Sequence, residues 1–451
     1  MRQLRCLRRA GLVAASGIIL LLAGCRGELP ARRDDAHDSP AAAAAPKQIT
    51  LAIREDWDKG HDLGEIAADL ALINELGVNV IFVNIGWDDY EPERDRFEFD
   101  WLHQFVELAA RHGIKLRPYI CYKPWWEGDG RWNSPPSDYQ QWRDFCARLG
   151  EEMKRHPNVL SYEIWLEENS RMWWAGTADQ YRELLESAAT ALRRADPDCL
   201  IALGGLTCPD DDYLRACSEG ASEQHFDVVP LHCYNETWAS EPLEEYLAPQ
   251  YSDSFFSVLD EGGGGKPVWM SECGCSTMDR SEEDQANYIA RAVSYFLSDP
   301  LARNRFGLFT YYELRDLAEG SQMIGDEHNY HFGLCRSDGS KKLAFHTYRL
   351  LVSLLNGRSV RAADGRVTIK ATRGSLGAEY HHLLQRADGA QILFVYDRES
   401  TATAQAVLAD PGTTCTRWRL DGASEPWTDF DGSAISNIPL APGQVRIFVI
   451  R

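Results

Sequence analysis

The chain has 451 residues, 44% apolar and 25% charged, enough for one large domain and a smaller one with ordinary hydrophobic cores. Its formal net charge of −21 argues against nucleic acid as a partner and leaves neutral ligands open. The 14 Trp and 18 Tyr are numerous, and many fall near the ends of expected strands, where aromatic faces suit sugar rings.

Arg2, Arg5, Arg8 and Arg9 precede an apolar run from Ala10 to Leu22, which is a secretory signal too short to span a membrane. Its end, Leu22-Ala23-Gly24-Cys25, resembles a bacterial lipobox. The resemblance implies cleavage before Cys25 and acylation of that thiol, which would anchor the protein to a membrane of the cell envelope. Residues 1–24 are thus expected as a lipoprotein signal peptide. Residues 25–47, charged and Ala/Pro-rich without period, read as a flexible tether. Ten further cysteines follow Cys6 and Cys25, and none shows paired zinc-ligand spacing. Cys208 with Cys217 could form a local bridge, although scattered buried thiols fit the composition better.

From Ile49 strands alternate with amphipathic helices. The strand Ile49–Arg54 leads to a helix over Leu63–Leu76, closed by Gly77. Asn79–Ile85 and Ile114–Ile120 are strands two and three, with a helix over Trp101–Arg111 between them. A third helix is expected over Ser137–Arg155, then strand four, then a helix over Ala178–Arg194. Leu200–Leu203, Phe226–Leu231, Val268–Ser271 and Phe306–Tyr312 complete the strands. Helices are expected around Asp211–Cys217, within Leu243–Leu259, over Glu283–Leu297 and over Lys342–Leu355. Eight β-then-α units call for a closed parallel (β/α)8 barrel over residues 48–357. Beyond it, Val367–Ala371, Tyr380–Arg386, Gln391–Tyr396, Ala404–Leu408, Thr414–Arg419 and Gln444–Ile450 are short strand-like runs between turns. Residues 358–451 therefore form an accessory all-β domain, a sandwich.

The chemistry gathers at two strand ends. Val159–Ile164 is an apolar run that breaks into Trp165-Leu166-Glu167-Glu168-Asn169, and Val268–Ser271 runs into Glu272. Clustered acids closing a buried strand are costly anywhere but a solvated or functional mouth. Two such carboxylates across a barrel mouth are the equipment of glycoside hydrolysis, and a separation of about 5 Å would mean retention. Glu163 alternates inward and supports the interior. Trp87, Trp125, Trp126, Trp173 and Trp174 fall on loops expected at the same face. His225, His328 and His331 lack metal-ligand spacing, and neither a metal nor another cofactor is expected.

Tyr162-Glu163-Ile164-Trp165-Leu166-Glu167-Glu168-Asn169 resembles the strand-four motif W-E-I-W-N-E-P-N of clan A glycoside hydrolases, especially family 39 and its relatives in family 5. Pro267–Gly274 is similar to P-I-W-x-T-E-F-G, and His232-Cys233-Tyr234 to the strand-six H-x-Y. Phe306–Asp316 and His331–Lys342 resemble the strand-eight segment and the run after it. The resemblance covers about residues 49–355. It implies Glu167 as acid/base and Glu272 as nucleophile, with Tyr234 bonded to the nucleophile. His232 would shape the pocket or hold Glu167, and Asn169 with Tyr311 or Tyr312 would line the sugar site. Leu166 stands where the family has an Asn that contacts the sugar 2-hydroxyl. That loss should cost on the order of 2–4 kcal/mol of transition-state stabilisation. Glu168 replaces a Pro and competes for the inward register, which Trp165 and Asn169 assign to Glu167. The expected activity is retaining hydrolysis of a β-linked glycan or glycoside. Leu166 is the argument for the alternative, a carbohydrate-binding lipoprotein with a degenerate site.

Overall fold

The computed structural model describes residues 46–219, 222–239, 241–245, 253–261, 265–298, 305–318, 320–321 and 325–451. The signal, Cys25 and the tether up to residue 45 lie outside them, as do residues 246–252 of the expected sixth helix.

Eight parallel strands form the barrel: β1 (Thr50–Arg54), β2 (Val80–Gly86), β3 (Lys115–Cys121), β4 (Ser161–Ile164), β5 (Leu200–Leu203), β6 (Val229–Cys233), β7 (Val268–Cys273) and β8 (Phe306–Tyr312). Their order is β5-β4-β3-β2-β1-β8-β7-β6. Isolated bridges close the ring between β5 and β6, where the His232 amide donates to the Leu206 carbonyl at 2.8 Å. Strands covered on both faces can be apolar throughout, and β2, β4, β6 and β7 are buried at every position.

The helices begin and stop where the sequence signals it. Asp62 accepts the amides of Gly64 and Glu65 to start Leu63–Leu76, and Gly77 ends it at φ 82°. Thr177 with Gln180 forms a capping box before Ala178–Ala195, as Ser281 with Asp284 does before Glu282–Leu297. Strand six starts three residues later than expected and runs on to Cys233, which puts His232 inside a strand. All ten described cysteines are free and buried, so Cys208 and Cys217 are not bridged.

The tail forms one seven-stranded and one three-stranded sheet, both antiparallel. Three of its strands are not legible as runs: Ser359–Ala362, Ser424–Pro426 and Ala434–Leu440. The end of the tether also joins it, because Lys47–Gln48 pairs with Ser359 and Val360. The strand Gln391–Asp397 shows why the tail sits where it does. Leu393 and Val395 enter the core between the two sheets, while Ile392, Phe394 and Tyr396 enter the barrel's core. Period-two alternation thus docks the domain with one strand facing both ways. Arg398, just past that strand, reaches two carboxylates of the barrel, Glu236 at 3.0 Å and Glu244 at 2.8 Å.

Candidate active site

The C-terminal strand ends converge on one buried cluster. Glu272, at the end of β7, accepts the Tyr234 hydroxyl at 2.6 Å and forms an ion pair with Arg54, whose Nη1 lies 2.7 Å away. Glu167 follows β4 and is joined to His232 Nδ1 at 2.8 Å, and the same nitrogen lies 3.3 Å from Glu272. An oxygen of Glu167, an oxygen of Glu272 and a nitrogen of His232 all lie within 4.8 Å of one another.

Local backbone geometry explains why Glu167 faces the mouth. The chain leaves β4 through left-handed residues, Trp165 at φ 75° and Glu167 at φ 45°, conformations that non-glycine residues seldom adopt. The turn sends Trp165 and Leu166 into the core. It also settles the competition between neighbours. Glu167 joins His232, whereas Glu168 is buried against Gly204, where a Cβ would stand 2.2 Å from its Oε2. The next residue, Gly205, makes the same allowance for His232, whose Nε2 would lie 1.9 Å from a Cβ there. Two consecutive glycines after β5 therefore make room for Glu168 and for the imidazole that Glu167 meets.

Electrostatics separate the groups. Burial raises the carboxyl of Glu167 above its ordinary value, against the pull of His232 and Arg54. Burial alone would lower His232, but Glu272 and Glu167 overcome it and hold the imidazole above its usual range. Tyr234 is pushed up by burial and by the charge of Glu272, so it keeps its proton for that carboxylate. A carboxyl raised above its ordinary value beside a second carboxylate held by a hydroxyl and a guanidinium is the kind of division that acid/base and nucleophilic roles need.

Not every expected residue lines the cluster. Tyr312 does, with its ring 6.1 Å from that of Tyr234, whereas Tyr311 is buried and donates to the Phe332 carbonyl. Asn169 accepts the Thr207 amide at 3.0 Å and so ties the loop after β5 to that after β4. Trp87 is a core residue: it is fully buried among Trp126, Trp142 and Phe145, with its indole donating to Glu91. Trp174 is likewise buried against Trp165 and Tyr181. Trp126 is half-buried and bonded to the Glu91 carbonyl, while Trp125 is 60% exposed. Trp132 and Trp173 pack with Tyr122 beyond β3 and β4.

Arg54 and Trp238 were not expected in this role. Arg54 ends an apolar strand in a charge, the same signal that marks Glu167 and Glu272. Trp238 packs 5.1 Å from Tyr234 and borders a cleft of about 370 Å³ with Ser276, Arg280 and His328.

Residues 43–305, more than half of the chain, match the cellulase family, glycosyl hydrolase family 5. The chain belongs to that family. It is a glycoside hydrolase of clan A. A β-xylosidase of Caldicellulosiruptor saccharolyticus is 22% identical over 346 residues, which are 69% of this chain and 67% of the relative. Among solved structures, a family 39 glycoside hydrolase from the gut symbiont Bacteroides cellulosilyticus WH2 superposes with a TM-score of 0.70 at 16% identity, covering 90% of this chain and 81% of that one. A monomeric β-xylosidase from Caulobacter crescentus CB15 gives 0.61 at 16% identity, with 90% and 97% covered. These structural likenesses carry the barrel-plus-β-domain fold.

Proposed function

We propose that this clan A enzyme is a retaining β-glycosidase working by double displacement, with Glu272 as nucleophile and Glu167 as acid/base. The observation that carries the reading is the spacing of the two carboxylates, whose nearest oxygens lie within 4.8 Å. Retention goes with carboxyl groups about 5–5.5 Å apart, inversion with about 6.5–9.5 Å. Glu272, fixed by Arg54 and Tyr234, attacks the anomeric carbon as Glu167 gives its proton to the departing oxygen. Water then cleaves the glycosyl ester, with Glu167 taking the proton back. Membership of a hydrolase family and the survival of both carboxylates favour this over a binding-only role.

The substrate is a β-linked glycan or glycoside, and β-xylosides come first for testing because relatives bear the name β-xylosidase. A panel of aryl β-glycosides, with product configuration followed by NMR, tests the mechanism. The first-formed sugar should be the β-anomer, and Glu272→Ala should lose activity by several orders of magnitude. An α-anomer as first product overturns retention. Cys25 is proposed as the lipid-bearing residue of an envelope protein, and Cys25→Ser should move the protein from the membrane to the soluble fraction.

A further inference from the structure

Arg54 closes β1 inside the mouth, and three carboxylates face its guanidinium. Glu272 lies 2.7 Å from Nη1, Glu163 lies 3.9 Å from the same nitrogen, and Asp56 lies 3.9 Å from Nε. They are not equally provided for. Glu272 also accepts from Tyr234, and Asp56 accepts from Tyr119 at 2.6 Å on the exposed rim. Glu163 is 2% exposed, and neither of its oxygens is in hydrogen-bond geometry with any described residue. The Gly205 amide eases its charge without completing a bond.

Where two buried carboxylates share one guanidinium, the one that lacks donors costs more to ionise. The proton falls to the carboxyl without donors, which is Glu163. Burial accordingly pushes it up to about 7, against the opposing pull of Arg54. The other groups facing it are Tyr119 on β3, whose ring lies under Arg54, His232 on β6, Glu272 on β7 and Glu168 after β4. His232 favours its charged form, and the two glutamates favour the neutral one.

We propose that Glu163 is a positioning residue, the standby counter-ion of Arg54, protonated while Glu272 is charged and ionised when Glu272 is not. With Glu272 ionised, a neutral Glu163 leaves the guanidinium wholly to the nucleophile. Once Glu272 is neutral, Glu163 is the nearest buried carboxyl left to Arg54. It then releases its proton to solvent and pairs with the guanidinium, and it regains a proton when the Glu272 carboxylate reforms. Esterification as the neutralising event rests on the mechanism proposed above, whereas the charge exchange does not.

Infrared difference spectra of the resting protein, with no substrate present, test the exchange directly. At about pH 6, where a carboxyl of pKa about 7 is mainly protonated, Glu163→Gln should remove one buried carboxylic C=O band. Glu272→Gln, which neutralises the nucleophile while keeping its shape, should remove the same band. If Glu163→Gln does not accumulate folded, the effect of Glu272→Gln is read in a Glu167→Gln background, which removes the other carboxyl that the charge of Glu272 raises. A carboxylic band unchanged in Glu272→Gln, or no band lost in folded Glu163→Gln, overturns the proposal. Neither result depends on turnover, so a failure here is distinct from a failure of the glycosidase reading.

Discussion

Two of the buried charge clusters among the described residues are built on opposite plans. Between barrel and tail, Glu244 receives Arg291 at 2.8 Å, Arg398 at 2.8 Å and the Tyr396 hydroxyl at 2.9 Å. Glu236 shares the same two arginines, so two carboxylates meet two guanidinia. In the barrel mouth, Arg54 and His232 face Glu163, Glu167 and Glu272, with Glu168 buried beside them, and the oxygens of Glu163 and Glu168 find no partner among the described residues. A balanced, fully bonded cluster holds its protons fixed and ties two domains together. An acid-rich, under-bonded one is forced to keep protons near neutrality, which is the condition for moving them. The shifts follow the plans: Glu167 is raised, and Glu244 is held at about 2, because Arg291 and Arg398 overcome the cost of its burial.

The largest expected effect lies in the mouth. Glu167→Ala should lose activity by orders of magnitude on substrates with poor leaving groups and far less on activated aryl glycosides, which need little protonation. Added azide should rescue it and give a product of retained configuration. Equal loss on both substrate types would remove Glu167 from the acid/base role.

At the interface the corresponding break costs stability instead of rate. Arg291→Met leaves Glu236 and Glu244 buried with Arg398 alone, and should destabilise the protein by about 3–5 kcal/mol in urea unfolding. A loss below about 1 kcal/mol would mean that the balanced cluster is not what secures the tail. Acid is the gentler route to the same break. Glu244 is lowered from 4.5 to about 2, so its contribution is complete above about pH 4.5 and is lost as pH falls towards 2. The drop attributable to it is about 3 kcal/mol. Unfolding followed over that window should show a shallower slope in Arg398→Met, where one of the two cations is gone.

How much of this could be read from the sequence differs between the clusters for a physical reason. Glu167, Glu272, His232 and Tyr234 stand at the ends of apolar strands, and a strand that ends in a polar residue is a local signal. The barrel was legible because its buried strands read as unbroken apolar runs between capped helices. Glu236, Glu244, Arg291 and Arg398 are scattered over 163 positions in loops, a helix and the tail, and only tertiary packing unites them. Trp87 went astray because a tryptophan just after a strand looks the same whether its loop folds outward or, as here, into a short buried helix. Ala434–Leu440 was hidden by Asn437, at φ 56°, and by Pro439, both of which interrupt an alternating pattern.

Tyr234 probes the supply of donors in the mouth. Its hydroxyl holds Glu272 together with Arg54 and the nearby His232, and a hydrogen bond to a charged group is worth about 1.5–3 kcal/mol. Tyr234→Phe should therefore lower kcat/KM by about 10- to 100-fold while thermal stability changes little. An unchanged rate would show that Arg54 and His232 suffice to place the nucleophile.

The smallest effect is expected at Trp125, and it asks how far the functional region reaches beyond the charge cluster. Its neighbour Trp126 is fixed by the Glu91 carbonyl at 2.8 Å and lies under Arg94, so it belongs to the framework. Trp125 leaves 60% of its surface to solvent on the loop after β3, so truncation removes little packing and should change stability by less than about 0.5 kcal/mol. An exposed indole at the mouth gains by stacking on a sugar, worth about 0.5–1.5 kcal/mol for a well-placed ring. Trp125→Ala should then raise KM for a longer oligosaccharide by about 2- to 10-fold and leave KM for a single-sugar aryl glycoside unchanged. Equal KM changes on both would place Trp125 at the cleaved sugar itself, and no change on either would leave it outside the binding path.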